Sequence, residues 1–572
     1  MIWRSCLGWT VLALLLAWLP AGAEWSTDPY ENNLICTDTS GQITPKIASD
    51  GAGGALITWS DFRPPDGTTD LYAQRIDNDG NLVWDPAGFP VCTAVENQWS
   101  QVIIPDGEGG AIIVWHDYRP MAPDTTDIYG QRLDALGHPC WPDNGVLICG
   151  ASGMQAGPEM IPDGAGGAII IWLDARGTDQ HIYAQRIDAG GASLWLTGGV
   201  EVSPITGYQS TPAIASDGAG GAIVTWSDLR GGDRDIYAQR LRSGEGARLW
   251  GNEGVLVCGA NDTQYRPELV SDDAGYAIIL WEDDRTYNNR NIYAQRVSPL
   301  GGTEWTANGL LVSGAIGNQS YPLPVTDMLG GVIAVWRDHR ADENDLYAQR
   351  ISPSGTFFWH TDGIPICDVI GDLYKASLVS DGSGGAIITW EDRRESTPGL
   401  SLDIYAQRVD DLGMGLWDED GLLVCGADGS QYFPELIADP QGNAIITWYD
   451  FRARGGQVYA QYVSADGGLG PSAVGPEPVS TSLSLDTSGP NPFSRQTAIR
   501  LNLPTPGGVD LGVFSIDGRR LTTLERGTLA SGTHVFDWDG RDQSGRGVPD
   551  GIYFVRLASG AGAVRLRVVL VR

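Results

Sequence analysis

The sequence predicts an all-β chain: an eight-bladed β-propeller closed by its N-terminal strand, followed by a small Ig-like β-sandwich. Three observations predict it. The phrase Trp-x-Asp-x-Arg occurs eight times, at Trp59, Trp115, Trp172, Trp226, Trp281, Trp336, Trp390 and Trp448, in steps of 56, 57, 54, 55, 55, 54 and 58 residues. A second phrase, Asp70-Leu71-Tyr72-Ala73-Gln74-Arg75, follows the first copy, and its tyrosine returns at Tyr129, Tyr183, Tyr237, Tyr293, Tyr347, Tyr405 and Tyr459. Finally, the pattern begins and ends in mid-repeat. Asn33-Leu34-Ile35-Cys36 looks like the end of a repeat such as Val146-Leu147-Ile148-Cys149, and the eighth repeat stops after Tyr459-Ala460-Gln461-Tyr462. A fixed period of this length marks a repeat architecture, and four short strands per period mark a propeller. The complementary ends predict that the N-terminal strand completes the last blade; a linear solenoid would not need them.

Each repeat reads as four strands. The first runs from a glutamine to an aspartate, as in Gln42-Ile43-Thr44-Pro45-Lys46-Ile47-Ala48-Ser49-Asp50; Leu373 stands where the glutamine is missing. Proline recurs inside it at Pro45, Pro158, Pro212, Pro267, Pro322 and Pro434. Proline has no N–H for a ladder, so an edge strand is expected. The turn Asp50-Gly51-Ala52-Gly53-Gly54 supplies the positive φ of a tight hairpin. The second strand, Ala55 to Asp61, is almost wholly apolar before its Trp-x-Asp, which suits burial on both faces. Alternation puts Ile57, Trp59, Asp61 and Arg63 on one side. The third strand carries Tyr-Ala-Gln-Arg. The fourth brings a second tryptophan, at Trp84, Trp141, Trp195, Trp250, Trp305, Trp359 and Trp417, with none in the eighth repeat.

Composition narrows destination and partners. Residues 1–23 read as a secretory signal peptide: Arg4, an apolar run from Val11 to Trp18, and the small cleavage site Ala21-Gly22-Ala23. The run is too short to span a bilayer, and no later stretch is long and apolar enough. A formal net charge of −34 repels phosphate backbones and argues against nucleic acid. Six of the eight cysteines, Cys36, Cys92, Cys149, Cys258, Cys367 and Cys425, hold one repeat position, which Ser203 and Ser313 fill elsewhere. Equivalent positions of neighbouring repeats lie too far apart for a bridge, so small buried thiols are expected. Cys140 stands outside that position and leaves a Cys140–Cys149 bridge open.

Residues 464–480 are rich in Gly and Pro without periodicity and read as a linker, leaving 24–463 for the propeller and 481–572 for a last domain. That domain shows Pro490-Asn491-Pro492-Phe493, Val513-Phe514-Ser515-Ile516-Asp517-Gly518, Trp538-Asp539-Gly540-Arg541-Asp542 and Gly551-Ile552-Tyr553-Phe554 in order. Short alternating strands with Gly turns fit a sandwich. In these motifs the segment resembles the Ig-like module shared by flagellar hook-cap proteins and the C-terminal sorting domains of type IX secretion cargo. Arg567 and Arg572 stand where lysine is commoner. The resemblance implies export to the surface or medium, through contact with the secretion machinery. The repeats, for their part, resemble secreted bacterial β-propellers in general and lack the Gly-His and Trp-Asp phrases of WD repeats.

The chemistry-bearing residues point to structure more than to catalysis. Asp61 and Arg63 recur in every blade, whereas a reaction centre needs one asymmetric set; buried charges also need partners. The Asp-Gly turns could hold Ca²⁺, given the acidity, but lack the ligand ladder of a calcium loop; no Cys-x-x-Cys points to zinc, and no cofactor is expected. His-Glu-x-x-His and Gly-x-Ser-x-Gly are absent. The adjacent pair Asp283-Asp284 falls on opposite strand faces. Trp99 and Tyr118 lie outside the regular aromatic positions and are ligand candidates. The repeats differ most in the loop after the Trp-x-Asp-x-Arg strand: Pro64 to Thr69, Pro120 to Thr126 and Glu395 to Leu402 are longer than the rest. Loops on rigid scaffolds carry function, so Asp66, Thr68, Asp124, Thr125, Glu395 and Thr397 are the expected partner-binding residues. The expectation is a non-catalytic propeller binding an extracellular polymer or protein; the competing reading is a propeller hydrolase or lyase acting on polysaccharide.

Overall fold

A computed structural model describes residues 24–471 and 484–571, apart from 64–66, 120–124, 273, 287–288, 342, 395–400, 454, 488–492, 494–496, 504–506, 516–518, 530–531 and 560–561. Every assigned regular element is a β-strand. The chain divides into two compact units between Ser472 and Ala473.

In the first unit seven four-stranded antiparallel sheets follow in chain order: sheet 1 (42–92), 2 (98–149), 3 (155–201), 4 (209–258), 5 (264–313), 6 (319–367) and 7 (373–425). Sheet 8 takes three strands from 431–463 and its fourth from Asn33–Leu34. Leu34 pairs with Tyr459 and Asn33 with Ala460, and Ile35 N–H donates to the Val458 carbonyl at 3.0 Å. The first strand is an edge in every sheet, as the proline carried by six of the eight leads one to expect. First strands of successive sheets adjoin, and that of sheet 1 also adjoins that of sheet 8. One buried cluster joins Ile57 and Trp59 of sheet 1 to Ile445, Val458 and Ala460 of sheet 8, with Trp25 among them.

Trp25 supplies the second tryptophan that the eighth repeat lacks. In sheet 1, Trp84 Nε1 donates to the Ala135 carbonyl of sheet 2 at 3.1 Å. Trp25 Nε1 donates in the same way to Asn78 O at 3.0 Å, one sheet on from sheet 8. Residues 464–470, which their composition assigns to the linker, turn back onto the same sheet: Gly470 N–H donates to Tyr462 O, and Trp417 Nε1 reaches Ala465 O at 3.2 Å.

The repeated phrases build a repeated stack. Trp59 Nε1 donates to Asp61 Oδ2 at 2.9 Å, and Arg63 pairs with the same oxygen at 2.6 Å. The Arg63 guanidinium lies 3.6 Å from the Tyr72 ring centroid and reaches Cys36 Sγ at 3.5 Å. All eight tryptophans of this set are fully buried. Asp50 closes its hairpin by accepting from Ala52 and Gly54 N–H, while its other oxygen holds Arg75. The Asp-Gly turns are thus engaged internally. Each charge sits beside an opposite one, which is how a buried ion is tolerated.

Seven cysteines among the described residues are free; six are buried and Cys140 is exposed. The Cys140–Cys149 bridge therefore does not form. Cys149 Sγ is instead an acceptor for Arg176 at 3.1 Å. Burial pushes its thiol up to about 11.

The second unit is a sandwich of a three-stranded sheet (484–487, 497–503, 532–538) and a four-stranded one (507–515, 520–529, 551–559, 562–570). Both faces contribute to one core around Leu501, Leu511, Val555 and Leu570. Trp538 meets Phe493 and Tyr553 edge-on, at 5.3 and 5.2 Å between centroids.

Candidate functional site

The eight sheets depart from equivalence where sheets 6, 7 and 8 meet. A cavity of about 320 Å³ opens there, lined by Tyr321, Arg337, Tyr374, Lys375, Glu391 and Phe433 together with apolar neighbours. Two features of the backbone create it. The first is a β-bulge in each first strand, just before the proline or its equivalent. Tyr321 and Phe433 adopt left-handed φ of 55° and 53° there, as Thr44, Ser100, Thr211 and Arg266 do in their sheets. A bulge breaks pairing and re-aims the neighbouring backbone. It turns the Tyr321 and Phe433 N–H groups onto the neighbouring sheet. The second feature is the middle residue of Trp-x-Asp, which faces away from the stack and meets that bulge. It is Glu282 in sheet 5, Arg337 in sheet 6, Glu391 in sheet 7 and Tyr449 in sheet 8.

Glu391 is 5% exposed. Its Oε1 accepts from Phe433 N–H at 2.8 Å. No ion pair reaches it among the described residues. Burial pushes its carboxyl above the usual range, while the Phe433 N–H and the charge of Lys375 oppose that shift. An aromatic wall stands behind it: Tyr449 stacks on Tyr432 at 5.5 Å and on Phe433 at 5.8 Å. Burial and the charge of Glu391 push the Tyr449 phenol up to about 12. Arg337 lies on the Tyr321 ring at 4.4 Å, with Arg266 also against that ring at 4.6 Å.

A second charged set comes from the middle of the first strands. Lys46 pairs with Glu435, joining sheets 1 and 8. Glu159 of sheet 3 and Glu268 of sheet 5 feel Lys375, and Glu268 feels Glu159 as well. Burial, and then the charge of Glu159, push Glu268 up to about 8.

Of the loop residues expected to bind a partner, Thr68 and Thr125 do not line this cavity. Thr68 and Thr125 are half-buried and each is already engaged. Asp66, Asp124, Glu395 and Thr397 lie outside the described residues. Trp99 packs edge-on against Phe62 and Tyr118 against His116, both beside sheets 1 and 2. Asp283 and Asp284 do face opposite ways, onto Trp281 and Tyr265. Sequence reasoning passes over Glu391 because the invariant residues of Trp-x-Asp dominate the pattern. The usable signal is the variable one: a glutamate inside a buried strand, at a site that holds serine, leucine or histidine in other repeats.

Comparison with known proteins bears on the second unit. The FlgD Ig-like domain family matches residues 493–562. The basal-body rod modification proteins FlgD of Salmonella typhimurium and Salmonella typhi are 37% identical over 71 residues, 11% of this chain and 31% of theirs. The chain thus spans under a third of the length of these relatives. The C-terminus carries an Ig-like domain of the FlgD type.

Similar solved structures include an ulvan lyase, a polysaccharide lyase (11% identity, TM-score 0.41, 66% of this chain and 96% of that one). Another is PorZ, a surface component of the type IX secretion system of Porphyromonas gingivalis (11%, TM-score 0.27, 94% and 82%). A third is a protein of unknown function from Dyadobacter fermentans (11%, TM-score 0.34, 76% and 98%). At such scores these likenesses bear on neither ligand nor reaction. No helix among the described residues is long and apolar enough to cross a membrane.

Proposed function

We propose that the eight sheets close into a propeller, and that the molecule is an exported, non-catalytic binding protein whose cavity between sheets 6 and 8 receives an extracellular polymer or protein. Closure is supported by the pairing of Leu34 with Tyr459 and by the placement of Trp25. Trp25→Ala is then expected to destabilise the unit by about 3–5 kcal/mol, the loss also expected of Trp84→Ala within sheet 1. A Trp25→Ala variant with unchanged urea unfolding would contradict closure.

Broken symmetry carries the binding reading. Seven other sheets offer the same backbone, and the cavity forms where a buried carboxylate is left with an open side. Concave, aromatic-lined sites with few polar groups are typical of ligand pockets. The test is a panel of polysaccharides and surface proteins, scored both for retention and for product release. Turnover that one point variant abolishes would overturn the non-catalytic reading. Glu391 favours that second reading, an enzyme acting on polysaccharide, because burial raises its carboxyl above the usual range, the direction a general acid requires.

The Ig-like unit is proposed to deliver the chain through type IX secretion. Deleting 481–572 should abolish surface delivery; unchanged delivery would refute that role.

A further inference from the structure

Sheet 5 contains a filled version of the site that sheet 7 leaves open. Glu282 occupies the position of Glu391, and its Oε1 accepts from Tyr321 N–H at 2.9 Å, just as Glu391 accepts from Phe433. The second oxygen of Glu282 is taken by Arg290 Nη1 at 2.9 Å. The Arg290 guanidinium lies over Tyr265, 4.6 Å from its centroid, and its Nε reaches Asp284 at 3.1 Å. In sheet 7 the tyrosine is kept as Tyr374 and the carboxylate as Glu391, but among the described residues no guanidinium pairs with that carboxylate. The loop that holds Arg290 in sheet 5 is replaced by Glu395-Ser396-Thr397-Pro398-Gly399-Leu400, which contains no cation. Asp284 is replaced by Arg393, which lies 5.5 Å from the Tyr374 centroid, bonds the Tyr374 hydroxyl at 3.0 Å and pairs with Asp372 at 3.8 Å. Glu391 and Tyr374 both line the resulting cavity.

We propose that this cavity receives an arginine side chain of a protein partner, its guanidinium on Glu391 and against the rings of Tyr374 and Phe433. The proposal rests on the reading of this molecule as a binding protein and names the partner chemistry. A planar guanidinium suits a carboxylate flanked by aromatic faces better than a compact ammonium does. Two cations also line the cavity, and neither forms an ion pair with Glu391 among the described residues. Arg337 is stacked on Tyr321, and Lys375, 5.8 Å from the Phe433 centroid, divides its charge among Glu159, Glu268 and Glu391. Over longer range a formal charge of −34 draws basic partners in.

The test uses the full chain and three probes: acetyl-Gly-Arg-Gly-amide, the same peptide with citrulline, and a neutral oligosaccharide, each titrated by calorimetry. The arginine peptide is expected to bind with one site per chain. Citrulline in its place, or Glu391→Gln in the protein, should weaken binding roughly tenfold or more, the worth of a charge-assisted hydrogen bond. Arg290→Ala should add a second site for the arginine peptide at Glu282. Equal binding of the citrulline peptide, unchanged binding by a folded Glu391→Gln variant, or no arginine-peptide binding at saturating concentration would overturn the proposal. Retention of the oligosaccharide alone would overturn it while sparing the binding reading. Retention of no probe, and of nothing on the wider panel, would remove both.

Discussion

Sheets 5 and 7 place the same residue at the same backbone position and leave it in opposite states. Glu282 is fully buried and is satisfied by Tyr321 N–H, by Arg290 and, at 3.7 Å, by Arg266. Among the described residues Glu391 keeps the Phe433 N–H as its one hydrogen-bond partner, with the charge of Lys375 acting from farther off. The difference does not lie in the strand, whose Trp-Glu-Asp is identical in both. It lies in the loop after it, which supplies a guanidinium in one case and a stretch without cations in the other. In a repeat protein the scaffold position is set by the period, while the chemistry of that position is set by what the variable loop brings to it. One sheet therefore serves as an internal standard for the other.

Arg290→Ala is the sharpest way to break the comparison. It leaves Glu282 buried with Arg266, at 3.7 Å, as its remaining cation among the described residues, and about 3 kcal/mol of stability should be lost. Glu391→Gln at the matching position should change stability by no more than about 1 kcal/mol, since its hydrogen bond from Phe433 survives. Urea unfolding of the two variants checks this; equal losses would mean the sheets are not in different states. A smaller effect is expected on adding Glu282→Gln to Arg290→Ala. Removing the orphaned charge should recover about 2 kcal/mol of the loss.

The smallest effect is a pH trend. Burial raises the folded-state carboxyl of Glu391, so between the ordinary glutamate range and the raised value the unfolded chain binds fewer protons than the folded one. Stability contributed at this site therefore falls as pH rises through that window. Wild type should lose ground to Glu391→Gln on going from pH 5 upward. For Glu268 the same sign holds over a window that ends at about 8, so Glu268→Gln should gain most near that pH. Thermal unfolding across pH reads both, and a wild type that gained on either variant with rising pH would reverse the assignment.

Much of the first unit is legible in the sequence. Eight Trp-x-Asp-x-Arg phrases at a steady period specify eight sheets because each phrase carries its own stack: tryptophan to aspartate, aspartate to arginine, arginine to tyrosine. Those contacts lie within one repeat, so local sequence is enough to predict them. The same holds for the edge strand, whose missing N–H is a property of the proline itself, and for the half-repeats that foretell the pairing of Leu34 with Tyr459. The Ig-like unit announces itself through its own run of motifs.

Hidden from the sequence is everything that depends on neighbours distant along the chain. Trp25 cannot be recognised as the missing eighth tryptophan until its ring is seen meeting Tyr462 at 5.9 Å, from the far end of the same unit. The bulge before each proline is invisible because the residue with the left-handed backbone, Tyr321 or Phe433, gains its hydrogen bond from the adjacent sheet. Above all, sequence says that Glu391 sits in a buried strand, but only packing says whether a counter-charge comes with it. Periodicity determines where a side chain stands; three-dimensional contact determines whether its charge is already answered.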